Sequence, residues 1–154
     1  MGAGASLISM DSQSLRVMFG ALAEQAGYST HESIWFRVSL ETVVALDLQK
    51  SSYSRMHYLN IRVWINGSWT RTRGIDELLV ESGDIFRREP PEFSAALDLE
   101  NSIDPPDRRA MLEQLFRTFL VPFTEMTGTL TGIRRAQDAG LVYLLPVIRK
   151  QLNK

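Results

Sequence analysis

The chain has 154 residues, 44% of them hydrophobic and 23% charged, which is the balance of an ordinary globular protein and leaves room for one domain, residues 1–154. Seventeen basic residues stand against eighteen acidic ones, without the basic excess that phosphate-holding proteins carry, so nucleic acid is disfavoured as a partner. There is no cysteine, which excludes disulfides, zinc–thiolate centres and thiol catalysis together and suits a reducing compartment, here expected to be the cytoplasm.

Residues 1–10 are small and apolar, with no Lys or Arg among them. They are too short for a secretory signal and are expected to be flexible. Gly2 and Ser6 match the myristoylation pattern, but that pattern is short and common by chance. No stretch reaches the length of a membrane span, so no membrane partner is expected.

Leu15, Phe19, Leu22 and Ala26 fall on one stripe with Met18 beside it, which predicts a helix over 12–26. Asp11 or Ser12 is its cap and Gly27 its stop. Strands are predicted over 34–39, 42–50 and 56–65. Ser39-Leu40-Glu41 is short enough for a hairpin, and 51–55 forms a looser turn. Short connections imply antiparallel neighbours. Asn66-Gly67 signals a further turn. Within 68–83, residues 75–80 suit a helical turn, with Trp69 and Arg71 on a loop. Residues 84–88 and 93–100 read as two more strands, and Pro90 and Pro91 between them call for an edge or a bend.

Leu112, Leu115, Phe116, Phe119, Leu120 and Phe123 repeat at helical spacing. Asp104 and Pro105 make a cap and first-turn pair for that helix, and Pro122 should kink or end it. More helix is expected over 130–153, divided by Gly140 and complicated by Pro146. Leu141, Leu144, Leu145, Ile148 and Leu152 fit a helical stripe, while 141–145 alone also fits a short buried strand. Helix, then strands, then helices is the order of an α+β fold. The expected architecture is an antiparallel meander sheet of four to five strands, with helices packed on one face.

Side chains alternate across a strand. Leu59, Ile61, Val63 and Ile65 share one face with Val44, Leu46 and Leu48, and this aliphatic face should lie under the helices. The opposite face is read as collecting Trp35, Arg37, Asp47, Gln49, Tyr58, Asn60, Arg62 and Trp64. Solvated faces usually carry Lys, Glu and Thr. Trp, Tyr and Arg are the types enriched where proteins bind one another, so these eight residues are the candidate partner-binding site. Two plainer accounts stand beside it. Arg62 can pair with Asp47 across the strands, or later segments can cover the face and make it a second core.

No catalytic or metal constellation is legible, and no cofactor is expected. His31 and His57 are the only histidines. His31-Glu32 lacks the second histidine of a metalloprotease helix, and His57 reads as a partly buried strand residue rather than a base. Ser51, Ser52 and Ser54 lie in a turn without a nucleophile-elbow sequence. Asp98 with Glu100 could form a carboxylate pair, but such pairs are common on solvated strands. Arg87-Arg88 and Arg134-Arg135 are adjacent basic pairs, and Arg71 and Arg73 sit beside Trp69; scattered solvated arginines are the simplest account.

The segments Val43-Val44-Ala45-Leu46-Asp47-Leu48-Gln49-Lys50-Ser51 and Tyr58-Leu59-Asn60-Ile61-Arg62-Val63 resemble a small bacterial domain-of-unknown-function family, numbered four-three-zero-four. The resemblance covers about two-thirds of the chain and is sharpest over 48–51 and 58–63. It implies an uncharacterised α+β protein and carries no catalytic residues across. Small bacterial domains of this kind often accompany toxins as immunity proteins. The expected function is therefore a non-enzymatic, protein-binding domain, and on the resemblance an immunity protein that neutralises a cognate toxin. The rival is an enzyme or small-ligand binder in which Arg37, Asp47, Gln49 and Asn60 orient a polar ligand. A third reading is a homodimer that packs these faces together.

Overall fold

The apolar stripe near the N-terminus forms α1 (Ser12–Gln25), which buries Leu15, Phe19, Leu22 and Ala23. Asp11 caps it, its carboxylate accepting the Ser14 amide at 2.7 Å, one of the first-turn N–H groups that have no intrahelical partner. Gly27 follows the helix at φ +93°, a conformation that costs a glycine little. The computed structural model of the chain describes residues 10–65, 74–80, 83–144 and 149–150. The Gly2/Ser6 pattern, the Asn66-Gly67 turn, Trp69, Arg71, Arg73, and Leu145, Pro146, Ile148 and Leu152 lie outside them.

Five strands form one sheet in chain order, each antiparallel to its neighbour. They are β1 (Ser29–His31), β2 (Ile34–Val38), β3 (Thr42–Lys50), β4 (His57–Ile65) and β5 (Ile85–Arg88). β1 has no apolar alternation to announce it. It exists because Glu32 and Ser33 take φ of 46° and 68°, the two-residue left-handed turn whose twist suits a hairpin, and so fold Ser29–His31 back onto β2.

Val44, Leu46 and Leu48 of β3 stand opposite Val63, Ile61 and Leu59 of β4, as the aliphatic pattern predicted. β2 is placed the other way round from expectation. Trp35 pairs with Leu46 and Arg37 with Val44, so both point to the helix-covered face, while Ile34, Phe36 and Val38 point outward. The cause is the hairpin. It turns on Leu40 and Glu41, with the Ser39 amide donating to the Thr42 carbonyl at 2.8 Å, which aligns odd residues of β2 with even residues of β3. Alternation within β2 separates its residues into two sets but does not say which set faces the core, and both sets contain a large apolar side chain.

The main core lies between the Leu46/Ile61 face and the helices. The long apolar repeat forms α4 (Pro105–Leu115), a π-helical stretch over Phe116–Leu120 and α5 (Val121–Met126), which run on without a break. Pro122 neither ends nor interrupts this helix. Its ring would clash with the carbonyl four residues back and it has no N–H to donate. The wider turn immediately before it accommodates both defects. Asp104 occupies the cap position with extended backbone but makes no side-chain cap bond.

Residues 93–100 do not form a strand. Pro91–Phe93 is a 3₁₀ turn and Ser94–Leu97 a short helix, α3, after which Asp98 alone bridges to Met56. Pro91 fixes the φ that a first helical turn needs, and Ala95, Ala96 and Leu97 are strong helix formers. The fully buried Arg108 secures the segment, donating from its two terminal nitrogens to the Ala96 and Asn101 carbonyls. α6 (Leu130–Asp138) is capped by Thr129, whose hydroxyl accepts the Gly132 amide at 3.0 Å, and Gly140 ends it at φ +74°. Residues 141–144 are neither helix nor strand, yet Val142 and Leu144 are buried in the main core.

The long helices thus cover one face, as expected. One short helix, α2 (Ile75–Leu79), crosses to the outer face, where Leu78 and Leu79 bury themselves against Val43, Ala45 and Trp64.

Candidate functional site

Six of the eight residues read as one surface do share the outer face: Asp47, Gln49, Tyr58, Asn60, Arg62 and Trp64. Trp35 and Arg37 are on the opposite side of the sheet. Trp35 is 4% exposed and packs against Phe19, with ring centroids 4.9 Å apart. Trp64 is only 2% exposed, because α2 lies over that end. The outer face therefore has a covered apolar half and an open polar half.

In the polar half the side chains hold one another. Asn60 is nearly buried, and its amide donates to the Asp47 carboxylate at 3.3 Å and to the Gln49 carbonyl oxygen at 3.0 Å. Arg62 pairs with Asp47 at 3.3 Å, donates to the Leu79 carbonyl at 3.1 Å and lies 5.1 Å above the Trp64 ring. The cross-strand pair weighed from the sequence is thus present, and the same guanidinium caps the last turn of α2. Arg88 of β5 stands opposite Asn60. Its guanidinium lies 4.3 Å above the Tyr58 ring, and its Nε donates to the Asn60 side-chain oxygen at 3.4 Å. Such stacking fixes a long side chain before any partner arrives.

Arg88 was not among the sequence candidates. Phe86 and Arg88 alternate together on β5, but only the register with β4 shows that they join Arg62 and Asn60 on the outer face. Arg87 goes to the core side, where it lies 4.5 Å from the Phe119 ring and donates to the Leu141 carbonyl at 2.8 Å.

The groups with catalytic potential are engaged elsewhere. His57 is fully buried on the core face. Its Nδ1 is 3.1 Å from the Arg55 carbonyl and its Nε2 is 2.7 Å from the Ser12 hydroxyl. The carbonyl can only accept, so Nδ1 carries the proton and Nε2 accepts from Ser12. Burial pushes the His57 pKa down, with the Arg16 and Lys50 charges adding to it. Asp98 accepts the Glu100 amide and Glu100 accepts the Arg55 amide, so both carboxylates hold turns. Ser51 and Ser54 accept the Tyr53 and Met56 amides. Among the described residues there is no group of three or more His, Asp or Glu side chains that could hold a metal ion, and no helix long and apolar enough to cross a membrane.

Two surface cavities border α1. One, of about 390 Å³, is lined by Leu22, Glu113, Phe116 and Arg117 among others. The second, of about 400 Å³, is lined by Met10, Val17, Met18 and Arg109 among others. Neither touches the polar half of the outer face. Arg37 is separated from Asp47, Gln49 and Asn60 by the sheet itself, so these four do not converge on one ligand. Comparison with protein-family models, with curated proteins and with solved structures finds no match to this chain.

Proposed function

We propose that the chain is a non-enzymatic protein-binding domain whose contact surface is the polar half of the outer sheet face. The observation that supports this reading is Arg88 stacked on Tyr58 over the Asn60–Asp47–Gln49 network. An arginine held in place by an aromatic ring gives a partner its donors at low entropic cost, and Arg and Tyr are residue types in which binding energy concentrates. The reading from the family resemblance is finer and is proposed with it: the partner is a toxin, and the face occludes it.

The test starts from the product of the neighbouring gene. Its affinity for the chain should fall at least about tenfold with Arg88→Glu or Tyr58→Ala, while circular dichroism shows the fold intact; truncating one buried member of a charge-assisted contact commonly costs about 2 kcal/mol or more. Unchanged affinity in both variants would refute this surface as the interface. For the toxin reading, co-expression of the chain should restore growth to cells producing that partner, and Arg88→Glu should abolish the rescue.

A further inference from the structure

β5 pairs with β4 and forms one edge of the sheet. The odd-numbered residues of β4 turn their backbone groups toward it: Leu59 N–H donates to Glu89 at 2.9 Å, Ile65 N–H to Asp84 at 2.7 Å, and the Val63 carbonyl accepts the Asp84 amide at 2.8 Å. By the alternation of an antiparallel ladder, Ile85 and Arg87 answer them, and Phe86 and Arg88 direct their N–H and C=O groups away from the sheet. Among the described residues no backbone hydrogen bond reaches Phe86 or Arg88 from that side, and the Arg88 carbonyl accepts only the Arg87 Nε, at 3.3 Å.

Proteins usually protect such an edge by shortness, charge or cover. β1, at the other edge, follows that rule with three polar residues. β5 is also short and carries two arginines, but it adds Phe86, which is 56% exposed, beside the exposed Arg88, both on the outer face. Among the described residues Arg88 makes no direct ion pair, although its charge acts on the neighbouring Glu89 carboxylate. Asp47 is paired with Arg62, and Glu89 is turned to the Leu59 amide, with burial raising its pKa. An exposed apolar ring and an exposed arginine, two residues apart on an edge with outward backbone groups, match the chemistry of strand addition.

We infer that an extended segment of the partner protein adds to the outer edge of β5, placing an acidic side chain opposite Arg88 and an apolar one opposite Phe86. This rests on the protein-binding reading. Side chains directly opposite in a ladder are in contact. An antiparallel segment therefore reads acidic, any residue, apolar, from its N-terminus. The site is short: β5 ends at Arg88 and Pro90-Pro91 follow, so the added strand gains few backbone bonds and relies on these two side chains.

The probe is a capped synthetic peptide, Thr-Thr-Glu-Thr-Val-Thr-Thr, with a control in which Lys replaces Glu. Titrated into the ¹⁵N-labelled full chain, the Glu peptide should shift the Phe86 and Arg88 amides and slow their hydrogen exchange. A contact made by side chains alone would not slow it. The Lys peptide should bind about tenfold more weakly, as a like-charge pair replaces an opposite one, and Arg88→Glu should reverse the preference. Unmoved Phe86 and Arg88 amides at millimolar peptide, or equal binding of the two peptides, would overturn the inference. If the full partner still perturbs Tyr58 and Asn60, the protein-binding reading survives that failure; if it leaves them unmoved, both fall.

Discussion

His57 seals the contact between α1 and β4, as a neutral ring donating to Arg55 and accepting from Ser12. In the unfolded chain the same ring titrates near 6.5, and folding lowers that value, mainly by burial. Below 6.5 the unfolded chain therefore binds more protons than the folded one, so stability falls as pH drops from 6.5 through the folded pKa. Urea midpoints measured between pH 7.5 and 5 should decline, and His57→Asn should flatten the decline while lowering the plateau. An equally steep decline in the variant would assign the effect to another group. Of the residue-scale features, the Asp11 cap and the Gly27 stop were legible, because both are set by the few residues around them. The stacking of Arg88 was not, because Tyr58 lies thirty positions away and meets it only across the β4–β5 ladder.

At the scale of elements, the strands with internal apolar alternation were readable within a residue or two, and β1 was missed. β1 depends on a turn built from Glu32 and Ser33, neither of which favours positive φ. Replacing them by Asn and Gly, the residues that adopt this turn most easily, should stabilise the chain by about 1 kcal/mol. Urea unfolding of the double variant measures it, and a loss of stability would mean that the turn is held by contacts of the original side chains. The 93–100 segment was misread for the opposite reason. Its apolar residues suit a strand or a short helix equally, and the choice falls to Pro91 locally and to Arg108, whose fork binds the Ala96 and Asn101 carbonyls. A buried arginine eight residues beyond the segment's end leaves no mark on the segment's own pattern.

Across the molecule the sheet carries two unequal apolar clusters. The larger joins α1, the aliphatic sheet face and the later helices, while the smaller holds Val43, Ala45, Trp64, Leu78 and Leu79 under five residues of α2. A small cluster closed by one short helix opens at lower free energy than the main core. In native-state hydrogen exchange the Leu78 amide, which donates to the Gly74 carbonyl at 3.1 Å, should exchange through a local opening, well before the amides of Leu46 and Ile61. Identical opening free energies would show that α2 unfolds only with the whole. Arg62 links this cluster to the polar half, since it binds both the Leu79 carbonyl and Asp47.

The α+β class, the antiparallel meander, the aliphatic core face and the β3–β4 part of the polar face follow from the sequence by itself. Period-two alternation and short connections are local, and β3 and β4 each have one plainly apolar side. Only the tertiary structure decided which face β2 presents, that Trp35 and Trp64 are both covered, and that Arg88 completes the polar face. Strand parity across a hairpin depends on how many residues the turn uses, and a single residue more or less exchanges inside for outside. The candidate surface therefore moved from Trp35, Arg37 and Trp64 toward Tyr58, Asn60 and Arg88, where among the described residues no further strand pairs with β5.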